Sequence, residues 1–239
     1  MGGGMTGILT ACLLYQKGVD AVVLEADRIG SGQTGKTTAK ITFQHNLLYD
    51  RLIRTFGKDR VKQYADANRL ALEKYRKLAE EYTISCQLKE YPAYLYSVTG
   101  EEKLKRECAA ARELGIEAWL ATETELPFPV KAALEFPGQL LFHPLEFIRG
   151  LSEDLCIFEK TQVLRVERDR IFCPEGTVRA QHIVFACHYP FQKFRGLYPL
   201  RMYQERSYVL ALEKAQKLCC LAVPVTGPEK TGERIRMLF

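Results

Sequence analysis

The 239-residue chain has only four histidines, no C-x-x-C spacing, no block of like charge and no internal repeat. Each absence excludes a class of function. His45, His143, His182 and His188 form no spaced ligand set with one another or with cysteine, so no metal site is expected. The eight cysteines are scattered and several lie in apolar runs. They read as buried free thiols in a reducing compartment, not as a disulfide framework. Charge is balanced, with 34 basic against 29 acidic residues and a net +5, and there is no basic stripe with interleaved aromatics. Nucleic acid is therefore not an expected partner. The first apolar run, residues 8–15, is too short to cross a bilayer and follows no basic residue, which argues against a membrane helix and a signal peptide. Met1, Gly2 and Thr6 match the myristoylation pattern, yet these glycines have another physical use. The expected location is cytoplasmic, with no membrane partner.

What the chain does have is glycine in a fixed order. Gly2, Gly4 and Gly7 fit G-x-G-x-x-G, followed by a helical stretch over residues 6–17, Gly18, and a buried strand over 20–25 that ends in Glu25. Turn, helix, strand and acid in that order are the signature of a dinucleotide fold. Gly2 permits the tight turn, Gly4 lets backbone approach a pyrophosphate, and Gly7 lets the helix pack closely. The first amides of the helix, at Met5 and Thr6, then face the phosphate. Glu25 is placed to accept hydrogen bonds from ribose hydroxyls and to repel a 2′-phosphate. An apolar strand ordinarily leads into such a turn, and only Met1 stands before Gly2, so the first strand is expected to be missing.

A second phosphate motif competes with the first. Residues 30–37 match G-x-x-x-x-G-K-[ST] in full, with Lys36 as the motif lysine. A true P-loop requires a strand leading directly in and a helix leading directly out. Here the strand ends five residues early, and the run after Lys36 is β-branched. P-loop nucleotide binding stands as an alternative.

Helices are expected over residues 47–56 and 59–82. A changed texture follows: short strands at 86–89 and 93–98 around Pro92, a charged helix at 101–114, a strand at 118–121 and a proline-punctuated stretch at 127–137. Helix returns at 144–155, then a meander with strands at 156–158, 162–166, 170–173 and 177–180, a buried strand at 182–186, and one more strand at 206–212.

The stretches GGGMTG, VVLEADRIGSGQTGKTTAK and FQHNLLYDRLIRTFG, with FHPLEFIRGL, FEKTQV, HIVFACHYPF and RMYQERSYVLALE, resemble the glycine/D-amino-acid oxidase (DAO-like) superfamily of FAD-dependent oxidoreductases. The likeness covers about residues 2–215 and is nearest to the bacterial subgroup that often carries a C-terminal Rieske domain. It implies an α/β fold: a Rossmann-like, glutathione-reductase-like FAD-binding domain at 1–85 and 144–190. A smaller α+β substrate module would occupy 86–143 and start again at 191–218, before an atypical tail at 219–239. The first strand and the C-terminal part, including any Rieske domain, are expected to be absent.

The resemblance also implies site residues. Arg28, Ser31, Gly32, Thr34, Gly35, Thr37 and Thr38 would lie along the FAD pyrophosphate and ribityl chain, with Thr38 and Ala39 nearing the isoalloxazine. Val163 would meet adenine through its backbone, Ala186 would end the strand under the adenosine, and His188 would line the cofactor edge. Lys36 stands where the subgroup often has histidine, so no covalent flavin link is implied. His45 is either near the chemistry or a loop or helix-cap residue, and His143 is expected to be structural. Tyr203, Arg206 and Tyr208 would face the substrate, Arg206 either binding a carboxylate bidentately or serving as an ordinary surface arginine. No catalytic residue is assigned, because the cofactor supplies most of the reactivity. The implied function is oxidation of the C–N bond of an amine or amino acid by hydride transfer to FAD, with the electron acceptor unspecified. A truncated, inactive remnant of such an enzyme is the other alternative.

Overall fold

The computed structural model describes residues 1–121, 123–124, 128–189, 191–192, 202, 208–210, 221–225 and 235–237. In chain order the first elements are α1 (Met5–Tyr15), β1 (Val22–Leu24), a 3-10 turn at Gln33–Lys36, β2 (Lys40–Ile41), α2 (Tyr49–Phe56) and α3 (Lys58–Glu81). There follow β3 (Lys89–Ser97), α4 (Glu102–Glu113), β4 (Trp119–Ala121), β5 (Ala132–Leu141), α5 (Pro144–Leu151) and β6 (Cys156–Phe158). The last are β7 (Arg165–Glu167), β8 (Arg170–Cys173), β9 (Gly176–Arg179), β10 (Tyr208–Leu210), β11 (Leu221–Pro224) and β12 (Ile235–Met237). The chain divides into two compact units, one of Met1–Ala39, Leu78–Cys86 and His143–Glu205, the other of Lys40–Lys77, Gln87–Phe142 and Arg206–Phe239.

In the first unit β1 pairs with β6 in parallel, Val23 opposite Ile157. Val23 and Leu24 are buried, as an apolar run in a parallel pair requires. α1 buries Gly7, Ile8, Ala11 and Cys12, a single stripe at helical spacing. The Cys12 thiol reaches the Tyr82 hydroxyl at 3.2 Å. His143 is indeed structural: its Nδ1 accepts the Glu146 N–H at 3.2 Å and caps α5, while Pro144 opens the helix where its missing N–H costs nothing. β7, β8 and β9 form a separate antiparallel meander.

The stretch expected as a strand at 182–186 is not one. Met1 lies alongside it, donating from its α-amino group to Val184 O at 2.8 Å and accepting from Ala186 N at 2.9 Å. One residue supplies one rung, and a rung is not a ladder.

The second unit is built on a sheet of order β11-β3-β5-β2, with β4 also pairing β5. Two expectations change here. The strands expected on either side of Pro92 are one strand, β3, and the proline-punctuated stretch up to Pro137 contains most of β5, which was not foreseen. The β3–β5 register shifts between Tyr91 and Ala93, opposite Phe136 to Gln139. Pro92 and Pro137 both fall in that irregularity, where a residue without an N–H removes no rung. The core packs Leu95, Leu134 and Phe136 of the sheet against Leu104, Cys108 and Ala111 of α4 and Val61 and Ala65 of α3.

Glu107 of α4 is buried in that core at 1 % exposure. The first turn of α2 opens on Leu48, whose side chain cannot cap it. Glu107 does so from another helix: Oε1 accepts the Leu48 and Tyr49 N–H groups at 2.8 Å each, and Oε2 accepts that of Asp50 at 3.1 Å. A carboxylate at a helix N-terminus is also favoured by the helix dipole. Burial, with Tyr64 and Glu107 nearby, pushes the Tyr49 phenol well above its ordinary value, and it stays a neutral donor to the Phe43 carbonyl.

Removing the Glu107 carboxylate strands three donors, that of Tyr49 buried and those of Leu48 and Asp50 partly so. Glu107→Ala is expected to cost about 2–4 kcal/mol, whereas Glu107→Gln keeps one acceptor oxygen and costs about 1 kcal/mol. Urea unfolding midpoints at unchanged slope measure both, and an alanine variant as stable as the parent refutes the capping role.

Candidate functional site

Within the first unit the glycine turn, the loop after β1 and two later segments enclose a cavity of about 730 Å³. Its frame is a set of backbone hydrogen bonds. Gly2 N–H donates to Leu24 O at 2.9 Å, so Met1 and Gly2 run between β1 on one side and residues 184–186 on the other. Gly30 N–H donates to Gly3 O at 3.0 Å and draws the loop after β1 over the glycine turn. On the far side, Glu25 N–H donates to Phe158 O at 2.9 Å, Thr161 N–H to Glu25 O at 2.8 Å and Lys160 N–H to Asp27 O at 2.7 Å.

Two glycines are obligatory for this approach. Gly2 has φ +98°, and a Cβ there would stand 2.9 Å from Ala186 O. A Cβ on Gly7 would stand 1.8 Å from Gly2 O, which no rearrangement short of moving the helix relieves. α1 therefore crosses the turn at backbone contact. Its N-terminus opens on Gly4 with no side-chain cap and no acid in the first turn. Instead the Met5 N–H donates to Thr34 Oγ1 at 2.9 Å, and Thr34 retains its own proton for a further acceptor.

Glu25 lies at the other end of the turn. Its Oε2 accepts the Gly3 N–H at 2.5 Å and its Oε1 the Asp27 N–H at 2.9 Å, which fixes the carboxylate at the cavity wall with lone pairs to spare. The cavity is polarised: the first amides of α1 with small hydroxyls line it, and so does a carboxylate. The amides favour an anion and the carboxylate favours hydroxyl donors.

Of the residues expected at a cofactor site, Gly2, Gly4, Met5, Thr6, Glu25, Ser31, Gly32, Thr34, Val163 and Ala186 line this cavity together, as does His188. Gly7 lies beneath it. Arg28, Gly35, Thr37, Thr38 and Ala39 do not line it. Thr37 and Ala39 form a local turn, Ala39 N–H to Thr37 Oγ1 at 3.3 Å, with Ala39 at φ 60°, a conformation unusual for a residue bearing Cβ. His45 belongs to the other unit. Tyr203 and Arg206 lie outside the described residues, and Tyr208 is in β10. Among the described residues no cluster of His, Cys, Asp or Glu could hold a metal ion, and no helix is long and apolar enough to cross a membrane.

Sequence reasoning missed Gln33, Thr161, Gln162, Leu164, Phe185, Tyr189 and Phe191 on the cavity wall. It also gave no role to Glu159, whose Oε1 accepts the Ile29 N–H at 2.8 Å. Glu159 stands four residues before Val163 within FEKTQV, and that spacing was the available signal.

The family model for FAD-dependent oxidoreductases (DAO) matches residues 1–235. The chain belongs to that family. The match runs on past Leu218, where the sequence reading placed a departure from the family. FAD is the cofactor of this DAO family, and the polarised cavity suits a dinucleotide. A protein of Bacillus subtilis (strain 168), YhfW, named for a Rieske 2Fe-2S iron–sulfur centre, is 36% identical over 226 residues, covering 89% of this chain and 44% of its own length. Gamma-glutamylputrescine oxidoreductase of Escherichia coli (strain K12) is 29% identical over 104 residues, 44% of this chain and 24% of that protein. Among solved structures, glycine oxidase from Geobacillus kaustophilus superimposes with TM-score 0.63 at 20% identity, covering 77% of this chain and 53% of that one. The chain thus spans less than half the length of these curated relatives.

The P-loop alternative fails on local structure. Lys36 ends a 3-10 turn, Thr37 is extended, and β2 follows where a P-loop needs an α-helix.

Gly7→Ala is expected to destabilise the first unit by about 3 kcal/mol or more, because the clash is with backbone. Gly100→Ala, where an added Cβ meets nothing within 4 Å, is the control and should leave the thermal midpoint near the parent's. Equal midpoints for the two variants contradict the close crossing.

Proposed function

We propose that the chain is the cofactor-binding portion of an FAD-dependent oxidoreductase that oxidises the C–N bond of an amine or amino acid. The observation that carries the reading is the polarised cavity of the first unit, lined both by helix amides and hydroxyls and by the Glu25 carboxylate. The amine and amino-acid chemistry is supported by the names of gamma-glutamylputrescine oxidoreductase and glycine oxidase.

In this reading the α1 N-terminus and Thr34 receive the pyrophosphate, with Ser31 and Gly32 beside it. Glu25 accepts hydrogen bonds from the ribose hydroxyls. Its negative charge disfavours a 2′-phosphate at that position. Val163 and Ala186 border the adenosine, while Arg28, Gly35, Thr37, Thr38 and Ala39 continue the cofactor-binding loop toward the ring end. Bound flavin supplies the hydride acceptor. The chain's own contribution is to hold a doubly charged linker without a metal ion, by aligned dipoles and small hydroxyl donors. The first unit serves the cofactor and the second the substrate, with His45, Arg206 and Tyr208 as candidate residues of the second unit and Tyr203 as a further substrate candidate.

The purified chain titrated with FAD is expected to take up one equivalent, read as a flavin absorbance band that co-elutes with protein. Glu25→Ala should weaken uptake about tenfold, the loss of a charged hydrogen-bond acceptor. Protein that stays colourless after incubation with excess FAD overturns the reading, and unchanged affinity in Glu25→Ala removes the ribose assignment. Flavin uptake without turnover of any amine or amino acid would favour an inactive remnant.

A further inference from the structure

In the second unit the run between β2 and α2, residues 42–48, is neither helix nor strand. Side chains hold its backbone instead. Gln139 Oε1 accepts the Phe43 N–H at 3.1 Å, and the Phe43 carbonyl accepts from the Tyr49 hydroxyl. Thr42 Oγ1 accepts the Gln44 N–H at 2.9 Å and donates to Gln44 O at 3.1 Å. Gln44 Nε2 donates to Asn46 O at 2.8 Å, and Asn46 Oδ1 accepts the Leu47 N–H at 2.9 Å. Asn46 stands at φ 62°, in the left-handed region that most residues avoid.

Two of these holders reach in from regular elements. Gln139 of β5 and Tyr49 of α2 are both at 0 % exposure. Gln139 uses both ends of its amide, since Nε2 donates to Pro137 O at 2.7 Å. A buried amide or phenol is costly unless its bonds are made, and both of these make one to the same residue, Phe43. Ordering an irregular run also costs conformational entropy. The braced positions, Phe43 and Gln44 on one side and Asn46 and Leu47 on the other, flank His45. Among residues 41–50, His45 alone is exposed.

We propose that Gln139 and Tyr49 are positioning residues, which hold the Phe43–Leu47 run in one conformation so that it presents the His45 imidazole to the substrate. The proposal rests on the substrate role given to His45 above and deepens it. A neutral imidazole offers one donor and one acceptor in a fixed plane, so what it can recognise depends on how the ring is set. A ring on a loose loop would have to be ordered at each binding event. A brace made on folding removes that cost from the binding step.

The test uses the whole chain loaded with FAD and, as probes, glycine and gamma-glutamylputrescine, the compounds in the names of two relatives. Calorimetry reads probe affinity, hydrogen exchange reads the Phe43 and Leu47 amides, and thermal midpoints check folding. Tyr49→Phe removes one hydroxyl and keeps the packing; Gln139→Leu removes the amide. Both are expected to speed exchange and to weaken probe binding about tenfold, with FAD uptake unchanged. His45→Asn should weaken the probe similarly, and Tyr49→Phe should add nothing in the His45→Asn background, because it acts through the imidazole. A merely structural role would weaken binding equally in both backgrounds. That additive result, parent-like affinity in Tyr49→Phe, or an FAD-loaded parent that binds neither probe overturns the proposal and leaves the cofactor reading standing. A parent that takes up no FAD overturns the cofactor reading, and the same cycle on the FAD-free chain then decides the brace.

Discussion

The first unit depends on one close approach of backbone to backbone. α1 lies against Gly2 at a distance that leaves no room for a Cβ at Gly7, and a Cβ at Gly2 would in turn stand 2.9 Å from Ala186 O. The glycine turn, the helix that follows it and the sequence-distant segment at Ala186 therefore meet at peptide contact. The helix amides open into the cavity only because the helix can come this near. A shift of the helix by the width of a methyl group would withdraw its N-terminus from the site and break the Met5–Thr34 bond.

Two acids keep the cavity's second wall in place, and neither does so by forming an ion pair. Glu25 joins the glycine turn to the turn after β1, and Glu159 holds Ile29 from the opposite segment. A carboxylate can accept from more than one backbone N–H, as Glu25 does from Gly3 and Asp27. Glu25 is thus both scaffold and ligand-facing group, so a substitution there perturbs the turn as well as the cavity. The surface ion pairs of the chain, by contrast, lie in solvent, where such pairs contribute little.

Much of this was legible in the sequence. The glycine spacing announced α1 and its crossing, the apolar run before Glu25 announced β1, and Cys156–Phe158 and Arg170–Cys173 stand where period-two alternation put them. What could not be read was whatever depends on a partner distant in sequence. Residues 182–186 have the composition of a buried strand, but composition does not supply the neighbour that makes a ladder. Pro92 and Pro137 read as breakers because their tolerance depends on facing each other across one bulge. Gln139 and Tyr49 carried no motif, since their significance lies in bonds to Phe43. The Walker-like run shows the converse: its residues fit the pattern, and the 3-10 turn with extended Thr37 agrees with the β-branched run after Lys36 that the pattern is accidental.

The Glu107 carboxylate in the second unit carries a dynamic consequence. Three successive amides, at Leu48, Tyr49 and Asp50, share one acceptor that belongs to α4. Helix ends ordinarily fray first and exchange their amide hydrogens readily. Here the start of α2 cannot open unless α4 also gives way, so its hydrogens should exchange with deuterium at the slow rate of the buried core. A helix terminus becomes part of the same cooperative unit as a side chain more than fifty residues away.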